Sequence, residues 1–285
     1  MISLKKAKGI LALLRPELPF AAGVCVVIGA IIAAAAVPAI TTLLLGFMWG
    51  FFLSSPAMIL NDYFDIEVDR INSPDRPLPS GLIKPSAAII LAIMTTLVGI
   101  VVSLLIGKMA LLLYLFFWIV GFLYNWKLKE WGLIGNLLVC SSVAVTFILG
   151  GIAVGQPSNK TVWILSLMVF FFDLGAEIAA DAMDIDGDKK RNVKSVAILL
   201  GKNNALKISA LLFTVMIVIS LAPVFLSLLG MTYLIIILIT DLLIGFFLIR
   251  LLKSQTPTTG RAAIRGMYLS GLMGMLAIII SQLFI

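Results

Sequence analysis

The sequence predicts an all-α membrane protein with nine transmembrane helices around a central cavity. Three observations carry that reading. Of the 285 residues, 61% are apolar and only 12% charged; the apolar residues fall into nine runs; and the basic residues gather in alternate connections. Soluble domains carry about 25% charged residues, and about 20 apolar residues cross roughly 30 Å of hydrocarbon. Buried helices of a large soluble protein would need an amphipathic outer layer, and the chain has almost none.

The runs read as spans at 18–37, 40–61, 86–107, 109–126, 132–154, 161–181, 205–229, 231–252 and 263–284. Lys5, Lys6 and Lys8 precede the first run as they would in a signal peptide. That run has full spanning length, shows no obvious cleavage site and is followed by further spans, so it reads as the first helix. Residues 1–285 form a single intramembrane domain on this reading.

Loops on the cytoplasmic side of a membrane collect Lys and Arg. When nine spans alternate, all 21 basic residues except Lys108 and Lys160 fall on one side. They occupy the N-terminal segment, the connections after the second, fourth and sixth spans, and the connection between the eighth and ninth. That side and the N-terminus read as cytoplasmic, and the C-terminus as outside. One span more or fewer would scatter the charges over both faces.

Cys25 and Cys140 lie within spans and read as small packing residues. The chain has no His, which excludes imidazole ligation of haem, His-based zinc sites and a His general base. Its chemistry must run on carboxylates, cations, amides and hydroxyls. Nothing calls for a nucleic acid or an obligatory protein partner.

A spaced pattern of acids occurs twice, as Asp62, Asp65 and Asp69, then as Asp181, Asp184 and Asp188, displaced by 119 residues at each position. The copies fall at the cytoplasmic ends of the second and sixth spans. On one continuous helix, about 100° per residue sets Asn61, Asp65 and Asp69 about 40° apart in succession, with Asp62 in the same sector. Asp181, Asp184 and Asp188 share a face in the same way. Clustered carboxylates repel, more so where water is scarce, unless a cation is bound. Hard divalent ions take oxygen ligands, and Mg2+ completes its octahedron with water and phosphate oxygens.

Basic residues flank each copy, Arg70 and Arg76 after the first and Lys189, Lys190, Arg191 and Lys194 after the second. They point to a bound phosphate and away from a transporter or cation channel with acidic gates. The Asp-x-Asp-Gly stretch at Asp184 to Gly187 lacks the downstream Glu of a calcium loop. The Asp-Gly-x2-Ala-Arg opening of CDP-alcohol phosphotransferases is missing at both copies. Asp173 and Glu177 lie on turns preceding Asp181, at a depth where ionisable groups face interior cavities.

Asn61 to Arg70, followed by Asn72, Pro74, Arg76-Pro77 and Leu78-Pro79-Ser80-Gly81, resembles the first signature of the UbiA superfamily of intramembrane prenyltransferases. Asp184 and Asp188, followed by Lys194-Ser195 and Leu199-Leu200-Gly201, resemble the second. Tyr124-Asn125-Trp126-Lys127 leading to Gly135-Asn136 is a third likeness. The resemblance implies Mg2+ held by Asn61, Asp65 and Asp69 on one side and Asp184 and Asp188 on the other, with Asp62 and Asp181 in the same set. The ions would bind the diphosphate of a polyprenyl donor, and Arg70, Arg76, Lys127 and Lys194 would neutralise it. Tyr124 would lie against substrate.

Members that prenylate aromatic acceptors often carry Tyr-Ala before the second signature, where this chain has Ala180-Asp181. The Asp-x2-Asp-x-Asp-Gly-Asp form is similar to the archaeal branch that joins a geranylgeranyl group to geranylgeranylglyceryl phosphate. Asn192, in place of Gly, and Val196-Ala197, in place of Leu-Pro, depart from many relatives. A lipid-like acceptor with its own phosphate needs a cation, and Arg15, at the mouth of the first span, is the candidate. Membrane lipids surround the whole.

Overall fold

Hydrocarbon offers no partner to a backbone N–H or C=O, so a spanning chain must satisfy its own, as a helix does. The computed structural model describes residues 4–190 and 193–283, and within them nine helices are long and apolar enough to span. Arg191, Asn192 and the side chains of Lys5, Asn72, Asp186 and Lys190 fall outside that description.

A first helix, α1 (Leu4–Leu14), precedes the spans. The spans are α2 (Glu17–Ala34), α3 (Ile40–Phe64), α5 (Pro85–Ile106), α6 (Lys108–Trp126), α7 (Leu133–Ala153), α8 (Lys160–Met183), α11 (Lys202–Ser220), α13 (Met231–Leu252) and α14 (Pro257–Leu283). Short helices α4 (Ile66–Asn72), α9 (Ile185–Lys190), α10 (Val196–Leu200) and α12 (Ala222–Phe225) sit between them. A 3-10 turn, Leu128–Trp131, joins α6 to α7.

Each span packs on the next round the ring, from α2 through α3, α5, α6, α7, α8, α11 and α13 to α14, and α14 returns to α2. Outward faces carry apolar side chains, such as Ile90, Met94 and Leu97 of α5 and Leu242 of α13. A surface of that kind belongs against lipid chains. Inside the ring an apolar pocket of about 170 Å³ is lined by residues of α2, α7, α8, α11, α13 and α14.

Lipid gives no hydrophobic drive between helices, so close approach through small residues holds them together. At the crossing of α2 and α7, a Cβ on Gly29 would stand 2.1 Å from the Phe147 carbonyl oxygen, and one on Gly150 2.2 Å from that of Val26. Only glycine fits either position. Pro56, inside α3, has no N–H for the carbonyl of Phe52 one turn back. The Tyr114 hydroxyl of α6 donates to that carbonyl at 3.1 Å, so the missing helix bond becomes an inter-helix one.

The expected spans match closely from the second to the sixth and at the eighth; the other three differ for local reasons. α2 ends at Ala34, where Ala35 turns left-handed (φ 49°) ahead of Pro38. The seventh run splits into α11 and α12 at Leu221. α14 starts at Pro257, six residues before the expected 263, because Thr256 and Thr259 each accept the other's backbone N–H through their hydroxyls, at 3.3 and 3.4 Å. This is a reciprocal cap of the capping-box type. Polar Thr258, Thr259 and Arg261 hid the first turns from a hydropathy reading.

Both acidic copies depart from one continuous helix. α3 ends at Phe64 with Asp65 at the break (φ −94°, ψ 6°), and α8 ends at Met183 with Asp184 at the break (φ −128°, ψ 27°). The middle acid of each copy is thus the joint between a span and a short helix. Replacing Gly150 by Leu forces two backbones apart, and overpacking costs about 1–3 kcal/mol even where side chains can yield. Gly150→Leu is expected to lower the melting temperature of the detergent-purified protein sharply, whereas Gly245→Leu, which meets nothing within 4 Å, leaves it near wild type.

Candidate active site

The end of α3 is pinned before its acids are reached. Asn125 of α6 is buried, and its amide donates to the carbonyls of Ala57 and Gly121 at 2.9 and 3.0 Å. Its oxygen accepts from the Asn61 amide at 3.0 Å, which fixes that side chain.

Asp62 and Asp69 are 4% and 6% exposed, and carboxylates buried so deeply need charged partners. Arg76 supplies one for both, 2.6 Å from Asp69 and 3.7 Å from Asp62. Arg15 completes the set with an ion pair to Asp62. Its backbone is left-handed (φ 41°) at the corner between α1 and α2, a conformation that costs a non-glycine residue roughly 1–2 kcal/mol. Arg76 is held by a tight loop. Its N–H bonds Ser73, its carbonyl accepts from Ser80, and Ile83 N–H returns to Pro77. Leu78 and Ile83 are buried with Leu13, Ile59 and Ala88 beneath it.

Asp65, at the joint, pairs with Lys129 of the 3-10 turn. The same connection reaches the second copy. The Lys194 N–H donates to the Glu130 carbonyl at 3.2 Å, and Gly132 (φ 56°) lies so near the Lys194 carbonyl that a Cβ would stand 1.8 Å away. Asn136, at the start of α7, donates to Asp181 at 2.9 Å. One connection between α6 and α7 therefore ties both acidic halves together.

In the second half, Gly187 lets α9 turn over the Asp184 carboxylate, which a Cβ would approach to 2.6 Å. Arg261 of α14 stands 3.5 Å from Asp184, and Asp188 is 4% exposed. Below them the α8 face continues inward through Glu177 to Asp173, which accepts from Tyr268 at 2.8 Å. Tyr124, near the end of α6, lies close enough to Glu177, Asp65 and Asp181 to feel their charge.

Of the residues marked by the sequence, Asn61, Asp62, Asp65, Asp69, Arg76, Arg15, Tyr124 and Asp181 are brought into this network. Three cations make no ion pair with the motif acids among the described residues. Arg70 turns outward onto Glu67 at 2.9 Å, and the side chains of Lys127 and Lys194 are exposed. Lys129, two residues on, stands where Lys127 was expected, because the chain enters a 3-10 turn at Leu128. Arg15 is already engaged by Asp62. Sequence reasoning missed Lys129 and Arg261 as site residues, and the signal for Lys129 was its place in the same basic connection. Among the described residues no three acids are gathered to hold a metal, and the first-half acids are instead paired with Arg15, Arg76 and Lys129. The donor set of carboxylate and amide oxygens is nonetheless the one Mg2+ takes.

Arg76→Ala takes the cation from buried Asp69 and leaves Asp62 to Arg15 alone, whereas Arg70→Ala removes an exposed pair worth about 0–1 kcal/mol. Thermal unfolding in detergent is expected to drop measurably for the first and to stay near wild type for the second, with Asp69→Asn partly restoring Arg76→Ala. Equal melting temperatures for the two single variants would contradict the assignment.

A profile described as the UbiA prenyltransferase family matches residues 22–272. The chain is 32% identical over 276 residues to digeranylgeranylglyceryl phosphate synthase of Thermococcus kodakarensis, covering 97% of this chain and 98% of that one. A solved structure of a digeranylgeranylglyceryl phosphate synthase superposes with a TM-score of 0.88 at 32% identity, over 99% and 100% of the two chains. A UbiA homolog from Archaeoglobus fulgidus, solved with GPP and Mg2+, shares the fold at a TM-score of 0.75 and 21% identity, over 97% and 100%. With its nine spans and two acidic motifs joined across the ring, the chain belongs to the UbiA prenyltransferase family.

Proposed function

We propose that the protein transfers a geranylgeranyl group from geranylgeranyl diphosphate to the free hydroxyl of geranylgeranylglyceryl phosphate, forming the second ether bond of an archaeal membrane lipid and releasing diphosphate. The near full-length similarity to digeranylgeranylglyceryl phosphate synthases carries this reading. The site chemistry supports it through two acidic halves joined to cations above an apolar interior.

Asn61, Asp65 and Asp69 on one side, and Asp184 and Asp188 on the other, are the residues to hold Mg2+, with Asp62 and Asp181 beside them. When bound, the metal neutralises the diphosphate and makes it a better leaving group. Arg76 and Lys129, now on the aspartates, would turn to phosphate oxygens of the bound donor. As the donor C–O bond breaks, its electron pair leaves with diphosphate and C1 becomes an allylic cation. The acceptor oxygen then closes the ether bond and gives its proton to the released diphosphate. The Tyr124 ring offers a π face near the developing charge, and the apolar interior keeps water from capturing it. The motif face is taken as cytoplasmic from its excess of Lys and Arg.

Purified protein given labelled geranylgeranyl diphosphate and geranylgeranylglyceryl phosphate is expected to form the diether with Mg2+ and none with a chelator. Asp65→Ala and Asp184→Ala should each reduce turnover by about a thousandfold. Lys129→Ala should cost about ten- to a hundredfold in kcat/KM, and Lys127→Ala little. Product from 4-hydroxybenzoate in place of the diether would move the protein to the quinone branch. Ion flux surviving both Asp variants in proteoliposomes would point to a transporter.

A further inference from the structure

A second cavity, of about 700 Å³, opens beside Asp184. It lies between the α8–α9 joint and the starts of α11 and α14. Its lining includes Asp184, Lys202, Thr258, Arg261 and Arg265, three cations against one carboxylate. Lys202 and Thr258 sit in the first turns of α11 and α14, where helix ends favour anions. Gly260 fixes this geometry, since a Cβ there would stand 2.1 Å from the Met183 sulfur.

We infer that this cavity binds the phosphate of the acceptor lipid, an inference that rests on the reaction proposed above. Of the first-half cations, Arg15 pairs with Asp62, and Arg76 and Lys129 stand on Asp69 and Asp65, where the proposed reaction assigns them to the donor diphosphate. Arg261, by contrast, forms a long 3.5 Å contact with Asp184 as its ion pair among the described residues, and the two side chains are 61% and 45% exposed. A pair so open holds little energy, and a phosphate, with more charge and more acceptors, would displace it readily. Arg261 would then join the acceptor phosphate to the acid that faces the donor diphosphate.

The ligand's chemical class follows from α14 itself. Arg261, Arg265, Tyr268, Leu272 and Met275 recur every three or four residues and so share one face. The first two line the charged cavity, and the last three line the apolar pocket deeper in the ring. A phosphate headgroup with a hydrocarbon chain matches that face along its length, which a free phosphate does not.

The test is equilibrium binding of radiolabelled geranylgeranylglyceryl phosphate to the protein in nanodiscs of zwitterionic lipid, without donor or Mg2+. Lys202→Gln/Arg265→Gln is expected to weaken binding about tenfold or more. Geranylgeranylglycerol, lacking the phosphate, should bind wild type and variant alike, and a donor thiodiphosphate with Mg2+ should bind both equally. Unchanged affinity of the double variant, or of Arg265→Gln alone if the double variant does not fold, overturns the inference. Displacement of the lipid by millimolar inorganic phosphate, or by nanodiscs of phosphatidylglycerol, also overturns it, by assigning the cavity to any phosphate or any anionic headgroup. Binding that depends on these cations without diether formation would instead sink the proposed reaction and leave the phosphate site standing.

Discussion

The rest of the structure answers to one electrostatic constraint, the cost of holding aspartates at the edge of a low-dielectric slab. Two of the six motif acids are almost fully buried in the first half alone, and each meets a guanidinium there. The cations come from different parts of the chain. Arg15 comes from the corner before α2, Arg76 from the loop after α4, Lys129 from the α6–α7 connection and Arg261 from the start of α14. Neutralising the acids therefore draws four separate connections onto one face and leaves the other end of the ring free of such work. The same ion pairs hold the first-half carboxylates together on one face.

The internal repeat is geometric as well as chemical. Asp65 and Asp184 each stand at a break between a spanning helix and a short one. The outer acid of each copy, Asp69 or Asp188, rides on the short helix, while the inner acid is fixed to the span. On the proposed reaction, a diphosphate would meet in each copy both a packed span and the turn that follows it. Gly187 gives the second copy room for that turn directly over the Asp184 carboxylate.

Most of the fold was legible because a span's length and apolarity are set by the bilayer and need no knowledge of neighbours. The acids were legible for a similar reason, since a spacing repeated over 119 residues is a one-dimensional signal. What escaped depended on chain geometry between elements. Lys127 and Lys129 are indistinguishable by composition, and only the 3-10 turn decides that Lys129 faces Asp65. Arg261 looked like one more basic loop residue until Thr256 and Thr259 capped α14 early enough to put it on a helix. The amphipathic α1 was too short and too charged to register against the spans, although Leu13 is fully buried.

α14 packs on α2 and α8, and its Arg261 reaches Asp184. This ninth span is also the one a ribosome makes after the other eight. Until it arrives, a growing chain holds an open arc of helices whose second acidic motif lacks its arginine and whose interior faces lipid on one flank. On the proposed reaction, catalytic competence is therefore tied to insertion of this span, because without it the chain cannot enclose a reactive prenyl cation.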